Sequence, residues 1–296
     1  MASLMRNFVF LTRCIRNLRG GSQPILAEAS DGNVYVCKFS DNLQGPNLLF
    51  NEAAGTELYF ALGLPVAPWR PLWVSEEFVD RNPACWVQTP EGSHRRNSSL
   101  CFGTRYLGNS RQALYEILPG SYFQRIQNEA DFWLAWLIDA CAHHTDNRQA
   151  LFLERESREL DAVFIDFGYM FGGPCGLEAP PFRASRYRDG RIYRQPKANL
   201  LMTIRRTADN LDNRNLWRKL ATIPDGWKSQ SASAALSACL NRLADAGYVR
   251  ECLDVIVEST HTCSHERLDP GYAKFPPLSV LPSGLQTREQ IYGVVA

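Results

Sequence analysis

The sequence predicts an α+β chain of two lobes: a small β-rich lobe with one helix, then a larger, mostly helical lobe carrying one hairpin. Three observations predict it. Residues 24–39 hold two apolar strand-like runs joined by the tight-turn signal Asp31-Gly32. Residues 47–62 place Phe50, Ala53, Ala54, Leu58, Ala61 and Leu62 at helical spacing, with Gly63 and Pro65 as stop signals. Beyond residue 126 the pattern is mostly helical, broken at Ala142 to Gly168, where a polar loop leads into two short apolar strands. The best linker between the halves is Thr89 to Asn97, with Pro90, Gly92, Arg95 and Arg96, so the lobes divide as residues 1–90 and 91–296.

Composition bounds the function. The chain has 296 residues, 45% hydrophobic and 21% charged, which is ordinary globular composition with room for two medium domains. A net charge of +1 provides no general field for nucleic acid or an anionic membrane. The longest apolar run, Phe132 to Ile138, is too short to span a bilayer. The nine cysteines are odd in number and scattered, with no Cys-x-x-Cys, as expected of free thiols in a reducing cytoplasm. His261-Thr-Cys263-Ser-His265 lacks a partner cluster at zinc-site spacing and reads as a polar helix end.

The elements follow in order. Phe8-Val-Phe-Leu11, interrupted by Arg13, Arg16 and Arg19 and lacking a cleavage site, predicts a strand rather than a signal peptide. Arg19-Gly20-Gly21-Ser22 is a glycine turn, followed by strands at Pro24–Ala29 and Val34–Phe39. In the second of these Val34, Val36 and Lys38 share a face. Lys38 is either an edge-strand gatekeeper or a cation aimed into a cleft at an anionic ligand. Glu52, beside Gly55 and off the centre of the helix stripe, either faces solvent or pairs with that lysine. Val66–Val74 reads as extended, Ser75-Glu-Glu as a capped short helix, and Cys85–Gln88 as one more strand. Arg95-Arg96 reads as part of a solvated loop. A helix over Ile126–Ala142 leads into the Asp146 loop, with strands at Ala150–Leu153 and Asp161–Ile165. Short helices are expected at Leu200–Arg206, Ser231–Ala246 and Val249–Glu258, and little order from Pro270 onward.

The hairpin delivers Asp146 to one end and Asp166 to the other. They are either two surface turn residues or the carboxylate pair of a phosphoryl-transfer site. In such a site one carboxylate orients an attacking hydroxyl and the other holds Mg²⁺ on phosphates. A strand lysine followed by a helix glutamate, ahead of that pair, is the arrangement that aligns nucleotide phosphates.

These residues resemble the HipA-like kinase domain family, a bacterial branch of the protein-kinase-like fold. The resemblance spans most of residues 7–195. It is carried by Arg19-Gly-Gly-Ser-Gln-Pro24, Asp31-Gly to Lys38-Phe39, Asn51-Glu52, Gly63-Leu-Pro65, Phe102-Gly103, Thr145-Asp-Asn-Arg-Gln149 and Phe164-Ile-Asp-Phe-Gly168. It implies a kinase that uses ATP and Mg²⁺ and phosphorylates Ser or Thr on a protein substrate. Gly20, Gly21 and Ser22 would cover the phosphates, Lys38 would contact them and Glu52 would position Lys38. Asp146 would orient the acceptor hydroxyl and Asp166 would bind the metal. The wider kinase pattern has a metal-binding Asn at the position of Leu151 here, so Gln149, with Asn147 beside it, is the expected substitute. That departure keeps two other readings open: a pseudokinase acting as a nucleotide-binding interaction module, and a small-molecule phosphotransferase. The arginine-rich stretch Pro180–Pro196 argues against a cationic small substrate.

Overall fold

The computed structural model describes residues 9–108, 112–176, 185–193 and 213–263. Strands β1 (Leu11–Asn17), β2 (Ile25–Ala29), β3 (Val34–Lys38), β4 (Trp69–Val74) and β7 (Ser99–Arg105) form one antiparallel sheet, ordered β1-β2-β3-β7-β4. Alternation along β3 sends Tyr35 and Cys37 into a small core with Leu11, Ile25, Leu72, Val74 and Phe78. Val34, Val36 and Lys38 take the opposite face, and Lys38 lies directly across from Phe102.

Helix α1 (Leu48–Ala61) packs on that second face. Eleven of its fourteen residues are buried, so it is covered on nearly every side rather than lying as an amphipathic surface helix. Gly55 is required there: a Cβ would lie 2.6 Å from Phe167 Cβ and 2.7 Å from Met170 Sδ. Helix α2 (Glu76–Arg81) starts as expected, with Ser75 Oγ accepting from Phe78 N.

The second lobe contains β8 (Leu114–Tyr115), α3 (Asp131–Cys141), β9 (Gln149–Glu154), β10 (Leu160–Ile165), α4 (Asn213–Leu220), α5 (Gln230–Ala244) and α6 (Ala246–Cys263). Its small sheet runs β10-β9-β8. Helix α3 is buried from Phe132 to Cys141, and Phe132 packs on Phe152 and Phe164 of the hairpin at ring separations of 6.2 and 5.0 Å. The α5 start is capped by Ser229 rather than placed at Ser231, and Asp245 separates α5 from α6. No described helix is long and apolar enough to cross a membrane. The expected helix at Leu200–Arg206, most of Pro180–Pro196 and the tail from Pro270 lie outside the described residues.

The linker expectation meets a different structure. Residues 87–94 form the hairpin β5 (Val87–Thr89) and β6 (Gly92–His94), and β7 then returns between β3 and β4. The chain leaves the first sheet only after Arg105, so a division at residue 90 falls inside the first lobe. Turn residues Pro90 to Gly92 serve a tight hairpin as readily as a linker. Nor is Arg96 solvated: it is 1% exposed, stacked 4.2 Å from the Phe39 ring and donating to Asp41 Oδ1 at 2.5 Å.

One contact ties the C-terminal helices to the first sheet. Trp227, from the turn between α4 and α5, packs 6.3 Å from Trp69 and 6.5 Å from Phe102, which are themselves stacked at 5.3 Å. Replacing Trp227 with Ala removes a buried aromatic from that junction and is expected to cost about 3–5 kcal/mol of unfolding free energy in urea. A loss below about 1 kcal/mol, the range of surface substitutions, would place Trp227 outside the load of the core.

Candidate active site

Four elements meet at Lys38. Because β3 lies between β2 and β7, the edge-strand reading of this lysine does not hold. Its Nζ donates to Glu52 Oε1 at 2.5 Å and to Asp166 Oδ1 at 2.8 Å. Glu52 is 2% exposed and does not face solvent. Its second oxygen, Oε2, accepts from Phe167 N at 3.2 Å. The neighbouring Asn51 donates through Nδ2 to Gly168 O and Met170 O at 3.0 and 2.8 Å. Helix α1 therefore grips the backbone just after Asp166. Gly168 allows this approach, since a Cβ there would lie 2.4 Å from Leu48 Cδ1 and 2.9 Å from Glu52 Oε1.

Asp166 follows β10 and adopts a left-handed backbone, φ +62°. Such a conformation is uncommon outside glycine and persists where neighbours over-determine it. Hairpin register sets Gln149 opposite Ile165, and Gln149 Nε2 donates to Asp166 Oδ2 at 2.9 Å. Leu151 lies two residues further from Asp166 along β9, on the half-buried face that Gln149 shares. The Asp166 side chain keeps 31% exposure against 3% for Glu52, so it is the carboxylate with an open side.

Burial pushes the Asp166 carboxyl up, but the Lys38 ammonium outweighs this and holds it at about 2. Burial disfavours the Lys38 ammonium, and the two carboxylates more than restore it, so its pKa is raised. Glu52 is raised, because its burial and the nearby Asp166 charge outweigh Lys38. Asp166 is therefore ionised at neutral pH, with Gln149 beside it: hard oxygen donors of the kind Mg²⁺ takes. Among the described residues, no group of three His, Cys, Asp or Glu side chains could hold a metal alone. A cation here fits if it shares its coordination with phosphate oxygens.

Asp146 is exposed in the loop that opens the hairpin, its Oδ1 accepting from Asn147 N at 2.7 Å. No hydrogen bond joins it to the Lys38 cluster. The loop is held on both sides: Thr145 N donates to Tyr169 O at 3.0 Å, and Arg148 is buried. Asn147 is exposed beside Asp146. The glycine turn forms, with Gln23 N donating to Gly20 O at 2.9 Å and Gly20 at φ +134°. A Cβ on Gly21 would meet Gln44 Nε2 at 2.7 Å, and that same amide donates to Tyr169 OH at 3.1 Å. Ser22 is buried.

Arg148 and its partners escape the sequence reading. Its guanidinium donates through Nε and Nη2 to the two oxygens of Asp139, both at 2.9 Å, through Nη2 to His144 Nδ1 at 2.7 Å, and through Nη1 to Ile165 O and Asp166 O at 2.8 and 3.0 Å. Tyr59 and Ser185 add hydroxyl donors to Asp139. His144 Nδ1 also stands 3.2 Å from Asp139 Oδ2, so the imidazole is enclosed between the guanidinium and the carboxylate. Burial, then the Arg148 charge, holds it below its ordinary pKa. A signal was present: Asp139 is a lone carboxylate inside the apolar run of α3, and a buried carboxylate requires a cation.

The fold is of the two-lobed, protein-kinase-like class. Among solved structures it is similar to the Helicobacter pylori proinflammatory kinase CtkA, with 13% identity and a TM-score of 0.49 over 86% of this chain and 98% of that one. It is also similar to the Golgi casein kinase, with Mn/ADP bound (12% identity, TM-score 0.46, 86% and 74% covered) and in a second structure (11%, 0.43, 85% and 74%). No family model matches the chain, and no curated protein matches it in sequence.

The depressed Asp166 carboxyl makes a pH prediction. Its pKa is lower in the folded state, so its contribution is present above the unfolded value, about 4, and is lost as pH falls toward 2. The unfolding free energy of wild type relative to Asp166→Asn should therefore fall across that window and stay flat between about pH 6 and 7. A wild-type advantage that grows on acidification would contradict the Lys38–Asp166 pairing.

Proposed function

We propose that this chain is an ATP- and Mg²⁺-dependent kinase of HipA-like kind that transfers phosphate to a Ser or Thr hydroxyl of a protein substrate. The observation that carries this reading is the Lys38 ammonium held between Glu52 and Asp166, where strand, helix and hairpin meet. Lys38 binds the nucleotide phosphates, moving from Asp166 to them while Glu52, buried behind it, keeps it aimed. The backbone of Gly20 and Gly21 covers the phosphates, and Ser22 supports the turn from within. Asp166 holds the metal, with Gln149 as second donor and Asn147 as an exposed amide beside Asp146. Mg²⁺, when bound, neutralises the charge spread over the transferred group.

Asp146 orients the acceptor hydroxyl and takes its proton as the hydroxyl oxygen bonds to the γ-phosphorus and the bond to the leaving ADP oxygen breaks. The placement of Gln149 supports an active enzyme over a relic. The missing amide at Leu151 is offset two residues earlier, at the register position that touches Asp166. Eight described cysteines are free thiols, which fits a cytoplasmic setting.

A thermal shift with ATP, with and without Mg²⁺, tests binding, because a ligand of the folded state raises its melting temperature. Lys38→Ala should abolish the shift. Asp146→Asn should keep ATP and Mg²⁺ binding and slow transfer by roughly 10²–10⁴-fold, read with labelled ATP as autophosphorylation or transfer to lysate proteins. Wild-type protein that binds ATP and transfers nothing to itself, to water or to these proteins would establish the nucleotide-binding module instead.

A further inference from the structure

We infer that Arg148 is a positioning residue for Asp166: from a buried clamp on Asp139, its guanidinium sets the backbone that aims the metal-binding carboxylate. The inference rests on the kinase reading for what Asp166 holds, but the geometry of the clamp stands by itself.

Asp166 sits at φ +62°, a left-handed conformation that aspartate adopts more readily than most residues but that is uncommon outside glycine. The bonds around it show what keeps it there. Arg148 Nη1 donates to the carbonyl before Asp166 and to its own carbonyl, at 2.8 and 3.0 Å. Glu52 Oε2 takes the next amide, Phe167 N. The peptide units on both sides of Asp166 are thus tied to charged side chains from different elements. Lys38 and Gln149 hold the carboxylate oxygens, so they act on the side chain; Arg148 acts on the backbone.

Arg148 can do this because it is itself immobile. Asp139 grips it side-on through both oxygens, and the Tyr59 and Phe167 rings lie 5.0 and 4.7 Å from its guanidinium carbon. It is 1% exposed. Burial disfavours the Asp139 carboxyl's charge, and the Arg148 guanidinium reverses that, holding its pKa well below the usual range. The planar fork matters more than the charge: Nε and Nη2 face Asp139 while Nη1 faces the two carbonyls. A lysine keeps the charge but presents one nitrogen, which cannot reach both sets. Arg148 also lies two residues after Asp146 and one before Gln149. A single side chain thereby ties the loop bearing the acceptor-orienting carboxylate to the turn bearing the metal-binding one.

The test uses the full chain and Arg148→Lys, with Asp139→Asn as a second variant that loosens the same clamp from its other side. Three readouts are taken well below each variant's melting temperature. Supporting partners of metal ligands typically contribute 10–100-fold in metal affinity or activity. Arg148→Lys is therefore expected to weaken Mn²⁺ binding to the ADP complex, read by electron paramagnetic resonance, by about 10–100-fold, with metal-free ADP binding unchanged. kcat should fall by about the same factor while KM for ATP holds. Amide hydrogen exchange should rise selectively over residues 165–170, with the α3 core at Leu137 protected as in wild type. Exchange that rises uniformly, or Mn²⁺ affinity and kcat that match wild type in the folded variants, would overturn the inference and leave Arg148 as a general core residue. Wild-type protein that binds neither ADP nor ATP would instead defeat the kinase reading, and the selective exchange at residues 165–170 would still decide the role of Arg148.

Discussion

The structure depends on one buried ammonium placed between two carboxylates. Lys38 comes from the sheet, Glu52 from α1 and Asp166 from the β10 end, so the ion pairs join three elements distant in sequence. Pulling such charges from water is expensive, and mutual attraction repays it only with good geometry and further hydrogen bonds. Those bonds are present: Phe167 N to Glu52, and Gln149 to the far oxygen of Asp166. With two carboxylates facing one ammonium, the cluster retains negative charge on its open side. That imbalance is of little use to a core, and it suits a site that receives a cation together with phosphates.

A second buried charge cluster lies beneath the first. Arg148 and Asp139 form a compensated pair, with neutral His144 and the Tyr59 and Ser185 hydroxyls completing it. The two clusters divide the labour. The upper one is partly open and electrostatically unbalanced, while the lower one is closed and satisfied. A site whose upper groups must change partners on ligand binding needs a lower layer that does not.

Legibility in the sequence followed the range of each signal. Lys38 was readable because strand alternation is local, and α1 because helical spacing is local. The hairpin strands were placed to within a residue or two, and Gln149 was singled out only through the family resemblance, as the substitute for an Asn at position 151. Strand β7 was not recognised as a strand: Gly103 interrupts its pattern, and only the packed structure shows why, since a Cβ there would lie 2.3 Å from Leu72 Cδ1. Residues 89–97 carry turn chemistry that a hairpin and a linker share, and the structure uses part of it for the β5–β6 hairpin. Arg96 read as solvated and Arg148 drew no role, because their partners, Asp41 and Asp139, are defined only by the fold. Long-range charge pairing leaves no periodic trace, and the one usable clue was a carboxylate stranded in an apolar helix.

The setting of α1 fixes the Lys38–Glu52 pair. In protein kinases the equivalent lysine–glutamate pair forms only when its helix is correctly placed, and helix position is a means of control. Here the helix is enclosed. At its N-terminus Asn47, 4% exposed, donates its amide to Pro174 O at 2.9 Å and accepts from Ser229 Oγ at 2.8 Å. Along its length Gly55 admits Phe167 and Met170, and Asn51 holds the carbonyls of Gly168 and Met170. The Trp227 contact with Trp69 and Phe102 closes the C-terminal helices over the same core. Moving α1 outward would break buried hydrogen bonds at one end and open a cavity at the other, and each of those carries a cost of its own. The Lys38–Glu52 pair is consequently preformed by packing.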